Sequence, residues 1–475
     1  MRLRLSIARV LAALTLAAPL PLLAQAGPAG HRALRREILE ELVEINTSNT
    51  DSTRRTGEAA QAAARRLLAA GFPAADVRVV EVTPGYHSLV ARYRGRPGAT
   101  AKPILLMAHM DVVDARRKDW SFEPFEFREV DGWYYGRGVL DNKAGVATLV
   151  ANFIRWRQEG WVPVRDLILV ATADEETSGD AMRGLVEKHR ALVDAEYALN
   201  ADAGGGELRD GKPVAFLVQT AEKVYATLAL EVKSKGGHSS VPVADNAITR
   251  LGAGLVRLGR WTFPVRLNET TRTFFQRVAP RQPAAIARDM RRLSAAPSRA
   301  GDTAAARRLS AASPTYNATL RTTCVATRLA AGHADNALPQ SAKATVNCRL
   351  MPDHPIDSVE ATLRRVLADT GIATTRQEVL PAGPVSPLRP DVMRPVERLV
   401  AEMWPGAVIV PEMSTGATDG LFTRSAGIPT YGLSAVFDVI DDVRAHGRDE
   451  RIGVKAFHDA AEFWYRLVKE LGSSR

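Results

Sequence analysis

Two near-continuous apolar runs, ILLMAHMDVV at 104–113 and LILVATA at 167–173, do most to limit what this chain can become. A strand with so little polar alternation is stable only when both of its faces are covered, as in a largely parallel sheet with helices on either side. The neighbouring sequence supplies those helices. Apolar residues recur at i, i+3 and i+4 over 31–45, 57–70 and 142–157, and shorter strands are predicted over 77–82 and 88–93. Helix and strand in alternation imply an α/β fold, a mixed sheet covered by helices on both faces. Reactive groups in such sheets gather beyond the carboxyl ends of the strands. A length of 475 residues exceeds one ordinary core, so a second domain is expected.

Acid and histidine clusters fall at those strand ends. His109 and Asp111 are two residues apart, which on a strand points both side chains to one face. Asp174, Glu175 and Glu176 follow LILVATA directly, and adjacent carboxylates repel one another unless solvated or neutralised by cations. Asp202 precedes Gly204, Gly205 and Gly206, glycines that allow close backbone approach. Asp141 lies in GRGVLDNKAG at the start of the 142–157 helix. An Asp there is ordinarily an N-cap, and only partners elsewhere in the chain give it chemistry.

The order HMD, GRGVLDNK, DEE, an acid before glycines, GGHSS and a late His resembles the dizinc exopeptidase family of carboxypeptidase S, glutamate carboxypeptidase, aminoacylase and succinyl-diaminopimelate desuccinylase. The resemblance implies that His109 and Asp202 hold one zinc, Glu176 and His446 the other, and that Asp141 bridges both, with a cis peptide bond from Asp141 to Asn142. Cobalt or manganese also suits such ligands. Glu175 is implied as general base to a metal-activated water, and Asp111 as the group orienting His109. His238 in GGHSS is implied to stabilise the oxyanion, often in the other subunit's site. Asn336 and Arg349 are implied to hold substrate, Arg349 by its terminal carboxylate. At the third acidic position this chain has Asp202 where close relatives carry Glu and other branches Asp, with Glu207 the nearby substitute. His458 competes with His446 but lies within the last helix.

The spacing places a second unit at 220–381, between catalytic segments 27–219 and 382–475. Strands over 225–232, 319–329, 342–350 and 374–379 and helices over 246–258 and 356–369 give the β-α-β-β-α-β order of a ferredoxin-like α+β unit. The resemblance makes this the lid and dimerisation domain, and hence implies a homodimer. Cys324 and Cys348 lie equidistant from a loop centred on Asn336, so antiparallel pairing sets them opposite one another as a candidate disulfide. Farther on, a helix is predicted over 392–403, a strand over 408–411 and a closing helix over 454–471. The small residues of 414–420, Gly416 and Thr418 among them, suit a loop beside the substrate backbone.

The formal charge is +10, of which Arg2, Arg4 and Arg9 contribute three; between Arg266 and Arg308, ten Arg face Glu269, Asp289 and Asp302. The basicity is thus local. It lacks the interleaved aromatics of a nucleic-acid module, and a solvated helical insertion at about 266–308 is expected. Arg2, Arg4 and Arg9 precede an apolar run ending before Ala24-Gln25-Ala26, the form of a signal peptide over 1–26 and of a periplasmic or secreted protein. That run is too short for a stable membrane span. The expected activity is hydrolysis of a peptide bond next to a free C-terminal carboxylate, of carboxypeptidase or dipeptidase type. The alternatives are an aminoacylase-type hydrolase of N-acyl amino acids and a non-catalytic peptide-binding protein on the same fold.

Overall fold

The computed structural model describes residues 28–49, 55–295 and 303–474; the expected signal peptide lies outside them. The apolar runs at 104–113 and 167–173 form adjacent parallel strands, Ile104–His109 and Leu167–Thr172, every residue of which is buried. They sit within a ten-stranded mixed sheet. On one side of the pair lie Tyr86–Tyr93 and then Val77–Thr83, both antiparallel. On the other side follow Tyr197–Asn200 and Thr430–Gly432, each parallel to the strand before it, and then Lys212–Glu222, antiparallel to Thr430–Gly432. Strands Val408–Ser414 and Gly205–Arg209 both pair with Lys212–Glu222. Helices Pro28–Glu44, Lys143–Gln158 and Val454–Ser473 bury one face under a core that includes Leu39, Leu149, Phe153, Trp156 and Trp464. Asp180–Lys188 and Gly420–Ser425 cover the other, around Met182, Leu185 and Phe422.

Two local expectations around the large sheet are corrected. The strand ends at His109 rather than continuing to 113, because Val112 leaves the sheet and bridges Ser48, its amide donating to the Thr47 carbonyl at 3.3 Å. Asp111 therefore stands in the loop beyond the strand, not on the same strand face as His109. The helix begins at Lys143 with Asn142 in the N-cap position, and Asn142 caps nothing with its side chain. Asp141 lies one residue farther out and is not a cap. The Asp141–Asn142 peptide bond is cis.

A second, four-stranded antiparallel sheet runs Thr323–Ala331, Ser341–Leu350, Val224–Lys233, Ile372–Val379. Alternate residues of Val224–Lys233 are buried, as a sheet with one covered face requires. Helices Ala247–Arg260 and Ile356–Leu367 cover that face through Leu251, Leu258, Val359 and Leu363. The first is capped by Asn246, whose side chain accepts from the amides of Ile248 and Thr249. The strand expected over 319–329 starts later: Ser313 caps a helix, Pro314–Leu320, before the chain extends at Thr323. Cys324 and Cys348 are directly opposite in register, and their sulfurs are bonded.

The arginine-rich stretch folds into short helices around Phe275, Met290, Leu293, Leu309 and Leu320. Its first helix, Glu269–Val278, lies along the edge strand Val408–Ser414, and the buried Thr270 hydroxyl meets that of Thr220 at 2.6 Å. Covering an edge strand removes a row of unpaired backbone groups from solvent.

Candidate metal centre

The carboxyl ends of the buried strands deliver the reactive groups to one place. His109 is the last residue of its strand, Glu175 and Glu176 follow Leu167–Thr172, and Asp202 follows Tyr197–Asn200. Close packing at Asp202 depends on Gly204, at φ +73°, where a Cβ would fall 2.5 Å from the carbonyl oxygens of Leu217 and Gly432. The Asp141 carboxylate spans two imidazoles, with Oδ1 3.0 Å from His109 Nε2 and Oδ2 3.1 Å from His446 Nε2. Asp202 lies 3.3 Å from His109 Nε2, and Glu176 lies 2.9 Å from His446 Nε2. Glu175 stands back at 4.0 Å from His109 Nε2. His446 reaches the centre from a non-glycine left-handed backbone, φ +61°, the kind of local strain that recurs at functional sites.

Asp111 is wholly buried and acts in two ways. Its carbonyl oxygen, 3.0 Å from His109 Nδ1, is the nearer partner of the ring, the carboxylate being 3.5 Å away. A proton on Nδ1 leaves the Nε2 lone pair facing Asp141 and Asp202. The Asp111 carboxylate accepts from the Glu175 and Glu176 amides at 3.1 and 3.0 Å and from Asn49 Nδ2 at 2.9 Å. It thus fixes the turn that carries both glutamates.

Burial disfavours charge on His109, yet Asp202, Asp111 and Asp141 hold its pKa well above the usual imidazole value. Bonds to Asp141 and Glu176 raise His446 to about 10. Burial pushes Glu175 well above the carboxylate range, with Asp202 adding to it, whereas the two imidazoles outweigh burial at Asp141 and bring it down. Asp141, Glu175, Glu176 and Asp202 carry more negative charge than two imidazoliums offset, and their donor atoms are the hard oxygens and imidazole nitrogens that divalent cations take. Ligand atoms of His109, Asp141 and Glu176, and of His109, Glu175 and Asp202, lie within 4.8 Å of one another. The residues fit a two-metal centre.

Two cavities there reach Glu175, Glu176 and His446. One, of ≈ 410 Å³, runs past Glu175, Glu176 and His446 to Arg349, with Gly416 and Thr418 on its wall. Arg349 stacks on the Tyr225 ring at 4.6 Å and donates to the Thr415 carbonyl at 3.3 Å. The Thr418 hydroxyl is already engaged, donating to Glu222 at 2.6 Å, so it positions the loop. The other cavity, of ≈ 330 Å³, lies on the Asp202 side. His238 and Asn336 are not on either wall within this chain. They are exposed neighbours at a two-stranded ribbon, where His238 pairs with Ala337 and Ser240 meets the His238 ring at 2.7 Å. His458 is held by Arg35 at 3.1 Å, apart from the centre.

Sequence reasoning missed Glu450. Its buried carboxylate accepts from Arg137 at 2.7 Å and from the amides of Gly138, Leu140 and Asp141 at 3.0, 2.9 and 3.0 Å, anchoring the whole turn before Asp141. The nearest sequence signal was its place in HGRDE beside His446, where an acid reads as a surface residue. Glu222, bound to Thr418 and Arg424, was likewise hidden at the end of a strand.

The protein-family model "Peptidase family M20/M25/M40" matches residues 105–470. The chain is 28% identical over 470 residues to the human N-fatty-acyl-amino acid synthase/hydrolase PM20D1, covering 92% of this chain and 88% of that protein. Among solved structures it resembles an M20 family metallo-carboxypeptidase from Sulfolobus solfataricus, with a TM-score of 0.68 at 17% identity, over 92% of this chain and 99% of the other. It also resembles a Bacillus subtilis protein described as a dinuclear metal binding peptidase from the M20 family, with a TM-score of 0.59 at 13% identity, over 93% and 98% of the two chains. The protein is a metal-dependent hydrolase, and its chain belongs to peptidase family M20/M25/M40.

Proposed function

We propose that the protein hydrolyses an amide bond whose amine side is an amino acid with a free carboxylate, as a carboxypeptidase or dipeptidase. The observation that carries this is the Asp141 carboxylate set between His109 and His446, with Asp202, Glu176 and Glu175 around it. His109 with Asp202 and Glu176 with His446 would each hold a divalent cation, zinc by preference, with Asp141 shared. Bound there, two such ions supply Lewis acidity and a water of lowered pKa. Glu175, raised by burial, is suited to hold a proton taken from that water and to release it to the leaving amine nitrogen. Arg349, which has no ion pair among the described residues, is the group to take the substrate carboxylate by bidentate pairing.

A panel of dipeptides and N-acyl amino acids, assayed after chelation and again after adding zinc, cobalt or manganese, tests both reaction and metal. Release of a free amino acid that depends on added metal supports the reading, and none on any substrate refutes it. Glu175→Gln should abolish release while retaining metal. Hydrolysis of N-acyl amino acids is the second reading, favoured by the likeness to the human N-fatty-acyl-amino acid synthase/hydrolase.

The exposure of His238 and Asn336 supports a homodimer in which each serves the other copy's centre. Mixing Glu175→Gln with His238→Ala should then restore activity, and failure to do so would exclude sharing. Export to the periplasm or medium rests on the pattern at 1–26, and a mature protein beginning near Gly27 would support it. No described helix is long and apolar enough to cross a membrane.

A further inference from the structure

The cavity on the Asp202 side has its own polar wall. Gln219, from Lys212–Glu222, and Glu412, from the parallel neighbour Val408–Ser414, are cross-strand partners in register, and both line it. Gln219 is 1% exposed, and neither its carbonyl oxygen nor its amide nitrogen has a hydrogen-bond partner among the described residues. Glu412 is half-buried and has no cation beside it among the described residues; burial, with Glu207 adding to it, pushes its carboxyl up to about 7. Buried polar groups left so are costly unless a ligand completes them. What the Glu412 carboxylate and the Gln219 carbonyl lack is a donor, and one bearing positive charge suits both. An ammonium offers three N–H groups, enough for the Glu412 carboxylate and the Gln219 carbonyl together.

We propose that Glu412 and Gln219 form a subsite for an ammonium group on the acyl side of the scissile amide, so that the substrate is a dipeptide with a free amino terminus. The inference rests on the amide-hydrolase reading above and narrows it. Arg349 stands in the adjoining cavity, which shares Glu175, Glu176 and His446 with this one, so the two charges of a zwitterionic dipeptide match the two cavities. The same carboxylate repels an anionic acyl group. A fatty acyl chain would leave Glu412 and Gln219 dry and unpaired.

The test compares alanyl-alanine with N-propionyl-alanine, which differ only in the ammonium, on zinc-loaded protein. Wild type should favour alanyl-alanine. Glu412→Gln should lower the ratio of the two kcat/KM values roughly 10- to 100-fold, as expected for a hydrogen bond to a charged group, and Gln219→Leu should lower it less. A ratio near one in wild type, or one that Glu412→Gln leaves in place, overturns the subsite alone. So does turnover of N-fatty-acyl amino acids without turnover of alanyl-alanine. Hydrolysis of no amide at all overturns the amide-hydrolase reading and the subsite with it.

Discussion

Glu450 offers the sharpest test of how the centre is held, because it touches no ligand atom directly and supports the chain that carries Asp141. Its carboxylate is fully buried and satisfies Arg137 and three consecutive-turn amides, those of Gly138, Leu140 and Asp141. Glu450→Ala leaves a buried guanidinium without its carboxylate, a loss of about 3–5 kcal/mol for a broken buried pair. Arg137 keeps the Gly447 carbonyl at 3.1 Å and the Trp120 ring at 5.0 Å, which argues for the lower part of that range for the charge alone. The three amides also lose their acceptor, a cost that overlaps with that of the guanidinium because water entering the space Glu450 vacates serves all of these donors. A total near 4 kcal/mol is a large fraction of the roughly 5–15 kcal/mol that holds a domain folded. Glu450→Gln keeps the shape and one acceptor and should lose about half as much. The assay is thermal unfolding with and without chelator, paired with metal content by atomic absorption. At roughly 2–4 °C per kcal/mol, Glu450→Ala should unfold about 8–16 °C below wild type and bind less metal as purified. Wild-type Tm and two retained ions in both variants would refute the anchoring argument.

Other consequences follow from single groups. Asp141→Asn should cost both ions, since its two oxygens face different imidazoles, and retention of two ions by elemental analysis would contradict a shared carboxylate. Replacing Cys324 and Cys348 with Ser opens a 24-residue separation, for which the chain-entropy model gives about 3–3.5 kcal/mol of lost stability; unchanged urea unfolding would exclude that contribution. Lys223 is buried, with its ammonium donating to the Arg321 carbonyl at 2.7 Å, and burial, with Arg349 adding to it, lowers its pKa to about 7. The unfolded chain therefore binds more protons than the folded one between about 7 and the ordinary lysine value, so this group makes stability rise with pH across that window. Lys223→Met should flatten that rise, measured as Tm against pH, and an equally steep profile in the variant would remove Lys223 as its cause.

What could be read from the sequence, and what could not, divides along a physical line. Strand content was legible because burial on both faces leaves a continuous apolar run, as at 104–109 and 167–172, and the reactive groups were legible because they sit where such runs stop. The errors lie where local pattern and long-range pairing disagree. ILLMAHMDVV reads as one strand, yet Val112 finds a better partner in Ser48, and that turn frees the Asp111 carboxylate to hold the Glu175 and Glu176 amides. Asp141 reads as a cap by composition, but a carboxylate already shared between two imidazoles has no oxygen to spare for a helix terminus. Glu450, Glu222 and Gln219 were beyond reach because a buried acid or amide among ordinary residues leaves no periodic trace, and its partners come from segments tens to hundreds of residues away. The groups that perform chemistry recur in short motifs, whereas those that hold them in place are defined only by what the fold brings beside them. Gln219 and Glu412 belong to the second kind, so any preference they impose on the substrate is written in the pairing of two strands and not in either strand's sequence.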